Sequence, residues 1–98
     1  MERRQYHIKI TINGRVLTQL IIDPHYLKKH SQSVTDKIII ALVEMLNGRR
    51  FVPDKVNDQG FEFYVEDKMK LKGKTYKLIW LLKNDGIYVG IVNCYRRD

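Results

Sequence analysis

One cysteine, two prolines and no long apolar run set the first limits on this chain. With Cys94 alone, no internal disulfide can form and no cysteine-based zinc knuckle can be built, which suits a reducing compartment. Cys94 itself reads as a small buried residue on the last strand. No stretch of 18 apolar residues is present, and the first residues, Met1 to Gln5, are charged rather than apolar. Neither a membrane span nor a secretory signal is expected, and the expected location is the cytoplasm. No trio of histidine, cysteine or carboxylate stands at a recognised ligand spacing, so neither a metal nor any other cofactor is assigned. Internal repeats and low-complexity segments are also missing.

What the chain has is positive charge. Its 98 residues carry 18 Lys and Arg against 11 Asp and Glu, a formal charge of +7. The length supports one hydrophobic core, so residues 1–98 read as a single basic α+β domain. At 44% hydrophobic the chain is too apolar for a disordered basic tail. An excess of cations informs on partners rather than on fold. Polyanions are the natural partners, and no long basic amphipathic helix points to a membrane surface.

Hydrophobic periodicity gives the elements. Tyr6, Ile8, Ile10 and Ile12 alternate with His7, Lys9 and Thr11, and Asn13-Gly14 supplies a two-residue turn into a second strand, Arg15 to Ile22. Asp23-Pro24 opens a short helix over His25 to His30. Ser33 then reads as an N-cap with Asp36 in the capping-box position, followed by a longer helix from Val34 to about Asn47. Ile38, Ile39, Leu42, Val43 and Leu46 form its apolar stripe, and Gly48 stops it. Arg49 to Gly60 is a polar connection placed to flank a cleft. Three strands follow: Phe61 to Leu71, Thr75 to Leu82 and Ile87 to Tyr95, with turns at Lys72-Gly73-Lys74 and Asn84-Asp85-Gly86. The expected fold is a small curved antiparallel sheet with an N-terminal hairpin, two helices packed on one face and a C-terminal three-stranded meander.

Candidate functional residues fall in three groups. His25 and His30 are proton-transfer candidates near neutral pH. Five residues apart, they would lie about 140° apart on one helix, so His25, with Lys28 on its side, is preferred for catalysis and Lys28 and His30 for RNA contact. Tyr95, Arg96 and Arg97 form the second group. The guanidinium fork of Arg96 matches a phosphate, Tyr95 can stack or transfer a proton, and Arg97 would return to the face of Tyr95. Because neighbours on a strand point to opposite faces, Tyr95 and Arg96 converge only if the strand end bends or frays. The third group is basic: Lys68, Lys70, Lys72 and Lys74 alternate with Met69, Leu71 and Gly73. That period places the first lysines on a single face, a stripe able to follow a sugar-phosphate backbone or, equally, a solvated edge that discourages strand aggregation. Lys77 interrupts the most apolar strand, pointing either to an edge or into a functional face.

Tyr76-Lys77-Leu78-Ile79-Trp80, the turn at Asn84-Asp85-Gly86 and the ending Tyr95-Arg96-Arg97 resemble the closing strands of the RelE/ParE-like toxin superfamily. With His25 near the start of a helix, the chain is more similar to its BrnT-like and DUF4258-like branch. The similarity covers roughly Asp23 to Asp98. It implies a metal-independent endoribonuclease in which the RNA 2′-hydroxyl attacks the adjacent phosphate. His25, Lys77, Tyr95 and Arg96 would be the catalytic set. The implied partners are RNA, including ribosome-associated RNA, and a separate antitoxin or inhibitor protein. The chain departs from that branch in its extra hairpin, Tyr6 to Ile22, and in having no histidine on its final strand. The residues alone leave two further functions open: a non-catalytic nucleic-acid- or protein-binding module using the same basic face, and a toxin directed at gyrase.

Overall fold

The computed structural model describes residues 3–23 and 34–97. Strands β1 (Arg4–Ile12) and β2 (Arg15–Ile22) form the N-terminal hairpin. Helix α1 (Asp36–Glu44) follows, then β3 (Lys55–Val56), β4 (Phe61–Leu71), β5 (Lys74–Lys83) and β6 (Tyr88–Arg96). The six strands make one sheet in the order β1-β2-β6-β5-β4-β3. The turns carry the backbone their residues favour. Asn13 and Gly14 have φ of 54° and 75°, and Lys72 and Gly73 have 50° and 80°. Paired positive φ values of this kind match the twist of a two-residue hairpin.

The expected all-antiparallel, curved sheet is not what forms. The sheet is mixed and open, because β2 runs parallel to β6, pairing Gln19 with Tyr88 and Ile22 with Ile91. The physical reason lies in β2, whose Leu20-Ile21-Ile22 is apolar on both faces. Such a strand is better placed inside a sheet than at its edge. Docking on the outer edge of β6 makes it internal, between β1 and β6. The sequence periodicity of two strands fixes their faces and leaves their relative direction open.

The helical expectation is also corrected. Among the described residues there is a single helix, nine residues long. The short helix expected over His25 to His30 lies outside the described residues. Helix α1 is capped by Thr35, whose hydroxyl accepts the N–H of Ile38, while the Ser33 cap expected from the sequence lies outside the described residues. Asp36 is committed elsewhere, to Arg4 and Tyr6 of β1. After Glu44 the chain tightens into i→i−3 turns, with Leu46 N–H on Val43 O and Arg49 N–H on Leu46 O. Gly48, at φ 79°, then turns its N–H onto Thr11 O and lays the chain along the end of β1.

The stripe of α1 forms as its spacing predicts. Ile39, Leu42, Val43 and Leu46 are buried, in one cluster with Leu17, Leu20 and Ile22 of β2 and Leu78, Trp80 and Leu82 of β5. Each such side chain contributes about 1.5–3 kcal/mol when fully buried. Trp80 is the centre: Tyr64 stacks on it at 4.1 Å and 10°, and Phe51 meets it edge-on at 5.3 Å and 85°. The core therefore lies on one side of the sheet, the near face. Residues of opposite parity on β4, β5 and β6 occupy the far face. No described helix is long and apolar enough to cross a membrane.

Candidate nucleic-acid interface

On the near face, polar groups are committed to structure. The Arg4 guanidinium forks onto the Asp36 carboxylate, with Nη2 donating to Oδ1 at 2.7 Å, and the Tyr6 hydroxyl donates to the same carboxylate. That hydrogen bond raises the Tyr6 pKa above the usual phenol value. At the hairpin end, Arg15 pairs with Glu62, and Tyr64 donates to Glu62 at 3.0 Å while accepting from Asn13 Nδ2 at 3.1 Å. Burial pushes Glu62 upward, but the hydrogen bonds from Arg15 and Tyr64 outweigh it and hold the carboxyl below its ordinary value. Burial, aided by Glu62, pushes Tyr64 up to about 12. Cys94, fully buried on β6, is pushed by burial to about 12, so its thiol is not ionised near neutral pH and is no nucleophile there.

The far face differs in kind. Lys68 and Lys70 are exposed on either side of buried Met69, so both project away from the core. A register shift between Glu66 and Met69 marks a bulge in β4, which reverses the parity of burial from Tyr64 to Met69. Lys77 pairs with Tyr95 across β5 and β6, and its Nζ stands 5.8 Å from the Tyr95 ring centroid. Lys83 stands 4.9 Å over the ring of Phe61, which neighbours Phe63 at 6.5 Å. Arg97 joins the strand end through its N–H to Thr75 O, and its Nε lies 3.1 Å from Asp67 Oδ1 without the angles of a hydrogen bond. Between β4 and β2 this face carries a groove of about 430 Å³. Phe61, Phe63, Leu81 and Tyr88 wall it, Gly90 lies among them, and Asn57, Gln59 and Arg3 stand around it.

The structure therefore sorts the sequence candidates. It brings Lys68, Lys70, Lys77 and Tyr95 to one face, with Arg97 alongside at the strand end. It separates Arg96, which pairs in register with Tyr76, a ring buried in the core, and so belongs to the opposite side. Strand β6 continues through Arg96 without the bend that convergence with Tyr95 requires. Lys72 sits in the turn, and Lys74 shares the parity of Tyr76 and Leu78. The expected lysine stripe thus ends at Lys70, because the turn hands the chain to a strand of the other parity. His25, Lys28 and His30 lie outside the described residues. Among the described residues no group of three His, Cys, Asp or Glu is arranged to hold a metal.

Sequence reasoning missed Phe61, Phe63, Lys83, Tyr88 and Gly90. Their signal was present: β4 carries aromatic residues of both parities, and β5 is apolar almost throughout. The described helix covers one side of these strands, and these rings lie on the other. No protein-family profile, no curated protein and no solved structure matches the chain. The resemblance to RelE/ParE-like toxins rests on the short C-terminal motifs and, for its branch, on His25.

Proposed function

We propose that the far face of the sheet binds single-stranded nucleic acid, with RNA, the target that the resemblance implies, as its substrate class. The observation that supports this most is the sharing of one face by four rings and four lysines: Phe61, Phe63, Tyr88 and Tyr95 with Lys68, Lys70, Lys77 and Lys83. Rings spread over a sheet stack unpaired bases, which a duplex keeps inside its own stack. Lysines, as hydrated point charges on flexible stems, follow phosphates without demanding a fixed geometry. None of these four lysines has a carboxylate partner among the described residues. Binding of a short labelled RNA, followed by fluorescence anisotropy, should weaken with salt with a log–log slope of about −2 or steeper, as three or more phosphate contacts require. A flat salt response, or equal affinity for a duplex of the same length, overturns the reading.

Metal-independent cleavage at the same face is a second reading, favoured by the direct pairing of Lys77 with Tyr95. The ammonium would hold the phosphate and assist the phenol in proton transfer to or from the reacting oxygens. RNA incubated with the protein and a chelator should then yield fragments ending in a 2′,3′-cyclic phosphate, and Tyr95→Phe should abolish them. Recovery of intact RNA leaves binding without catalysis.

A further inference from the structure

Resting on that reading of the far face, we infer that the groove beside Tyr88 is a base-reading subsite that accepts a base bearing a carbonyl oxygen, uracil above all, and disfavours adenine. Two independent observations lead there. The first is Gly90. Its φ lies outside the left-handed region, so its backbone does not require glycine. Space does: a Cβ at this position would meet Leu81 Cδ1 at 2.7 Å and Leu81 Cγ at 3.0 Å, with Tyr88 Cε2 at 3.6 Å. A glycine inside a strand at the foot of a concavity marks a close approach. Here it keeps Leu81 low and leaves the groove deep enough for a flat ring between the aromatic walls. Its volume of about 430 Å³ falls in the range of small-ligand sites.

The second observation is Asn57. Its Oδ1 accepts two backbone N–H groups, from Gln59 at 3.0 Å and from Phe61 at 3.0 Å. Both acceptor positions of the amide oxygen are then occupied, and these two donors fix which end of the amide is oxygen. What remains is its NH2, a donor with no hydrogen-bond partner among the described residues. Adenine is matched by a carboxamide that donates and accepts together. Asn57 can no longer accept. A carbonyl oxygen has two lone pairs and suits a donor of this kind, while the exposed Gln59 amide beside it can donate or accept and so leaves the discrimination to Asn57. An adenine amino group in the same place would face a donor and remain unpaired, which carries a desolvation cost. Arg3 and Asp23 both line the groove, and Lys83, over the ring of Phe61, is the neighbouring cation that favours a phosphate beside the bound base.

The test compares oligouridylate with oligoadenylate of equal length for binding to the whole chain. The expected result is about tenfold tighter binding of oligouridylate, one unpaired polar group's worth of discrimination. Asn57→Asp is the decisive variant. A carboxylate still accepts the Gln59 and Phe61 N–H groups, so the turn is retained, while the donor is lost. The ratio should fall toward one, and because self-stacking of oligoadenylate is the same for both proteins, the change in ratio isolates the subsite. Gly90→Ala pushes the Leu81 tip into the groove. With its melting transition intact, it should lose oligouridylate affinity several-fold. Equal binding of the two oligonucleotides by the parent chain, or an Asn57→Asp ratio equal to the parent's, overturns the subsite and leaves the far-face reading standing. Binding of neither oligonucleotide overturns the far-face reading itself.

Discussion

The two faces of this sheet use the same chemical vocabulary to opposite ends. On the near face, rings lock together: Tyr64 lies on Trp80, and Phe51 meets it edge-on. On the far face, two of the rings carry lysines, Lys83 over Phe61 and Lys77 over Tyr95. On the near face two arginines are tied to carboxylates, Arg4 to Asp36 and Arg15 to Glu62. Far-face cations are mainly lysines. The difference follows from side-chain physics. A guanidinium fork is pre-shaped for a fixed carboxylate, whereas an ammonium on a flexible stem keeps its hydration and can exchange a ring for a phosphate. Pairing makes the near face a structural surface, whereas Lys68, Lys70, Lys77 and Lys83 on the far face have no carboxylate partner among the described residues and stay available to an anion.

The widest gap between the faces should appear on truncating neighbouring rings. Trp80→Ala removes the centre of the core and should cost about 3–5 kcal/mol of stability, read from urea unfolding. Phe63→Ala, on the far face, should cost much less stability but about 1–3 kcal/mol of RNA-binding free energy through lost base stacking. If Phe63→Ala leaves RNA affinity unchanged while destabilising the fold as Trp80→Ala does, the distinction between the faces collapses.

A smaller effect probes the paired charges. Arg15→Ala should destabilise by about 1.5 kcal/mol at neutral pH, the scale of a hydrogen bond to a charged group, and leave RNA affinity alone. The pH dependence has a definite sign. The Glu62 carboxyl lies below its ordinary 4.5 in the folded state, so its contribution is present above 4.5 and fades as pH falls through the folded value. The gap between parent and variant should therefore narrow in acid. At the alkaline end, Tyr64 and Cys94 move the other way, from 10.0 and 9.0 to about 12. Their protonated forms are held by the fold, so stability is full below about pH 9 and declines toward pH 12, seen as a falling melting temperature.

The parts of the fold written in local chemistry were legible in the sequence. Asn13-Gly14 announced its hairpin, the 3.6-residue stripe from Ile38 to Leu46 announced α1, and alternation placed Phe61 and Phe63 opposite Tyr64. Long-range choices were not. The parallel pairing of β2 with β6 joins segments some seventy residues apart and depends on which strand edge remains open. The pairing of Asp36 with Arg4 and Tyr6 spans 30 residues and more, and no local pattern announces it. At the candidate site, alternation foresaw Lys68 and Lys70 together and Arg96 opposite Tyr95. The bulge in β4 and the turn at Lys72 decided the rest, and neither changes the composition that a periodicity reading uses.

The finest test sets two lysines near one turn against each other. Lys70 and Lys74 flank the Lys72-Gly73 turn, pairing with Thr75 and Leu71 respectively, and both are exposed. They carry the same charge beside the same turn. Only parity differs: Lys70 lies on the far face beside Lys68, while Lys74 shares the side of Tyr76. If the far face carries the strand, Lys70→Ala should reduce the magnitude of the salt slope by about 0.7, one single-strand phosphate contact. Lys74→Ala should leave the slope as it is, and both should shift stability by less than about 0.5 kcal/mol. Equal losses from the two variants would mean that RNA responds to total charge near the turn and that the sheet's two sides are indistinguishable to it. Unequal losses in the expected order assign the contact to the far face, because these two exposed lysines flank one turn and differ in the side of the sheet they belong to.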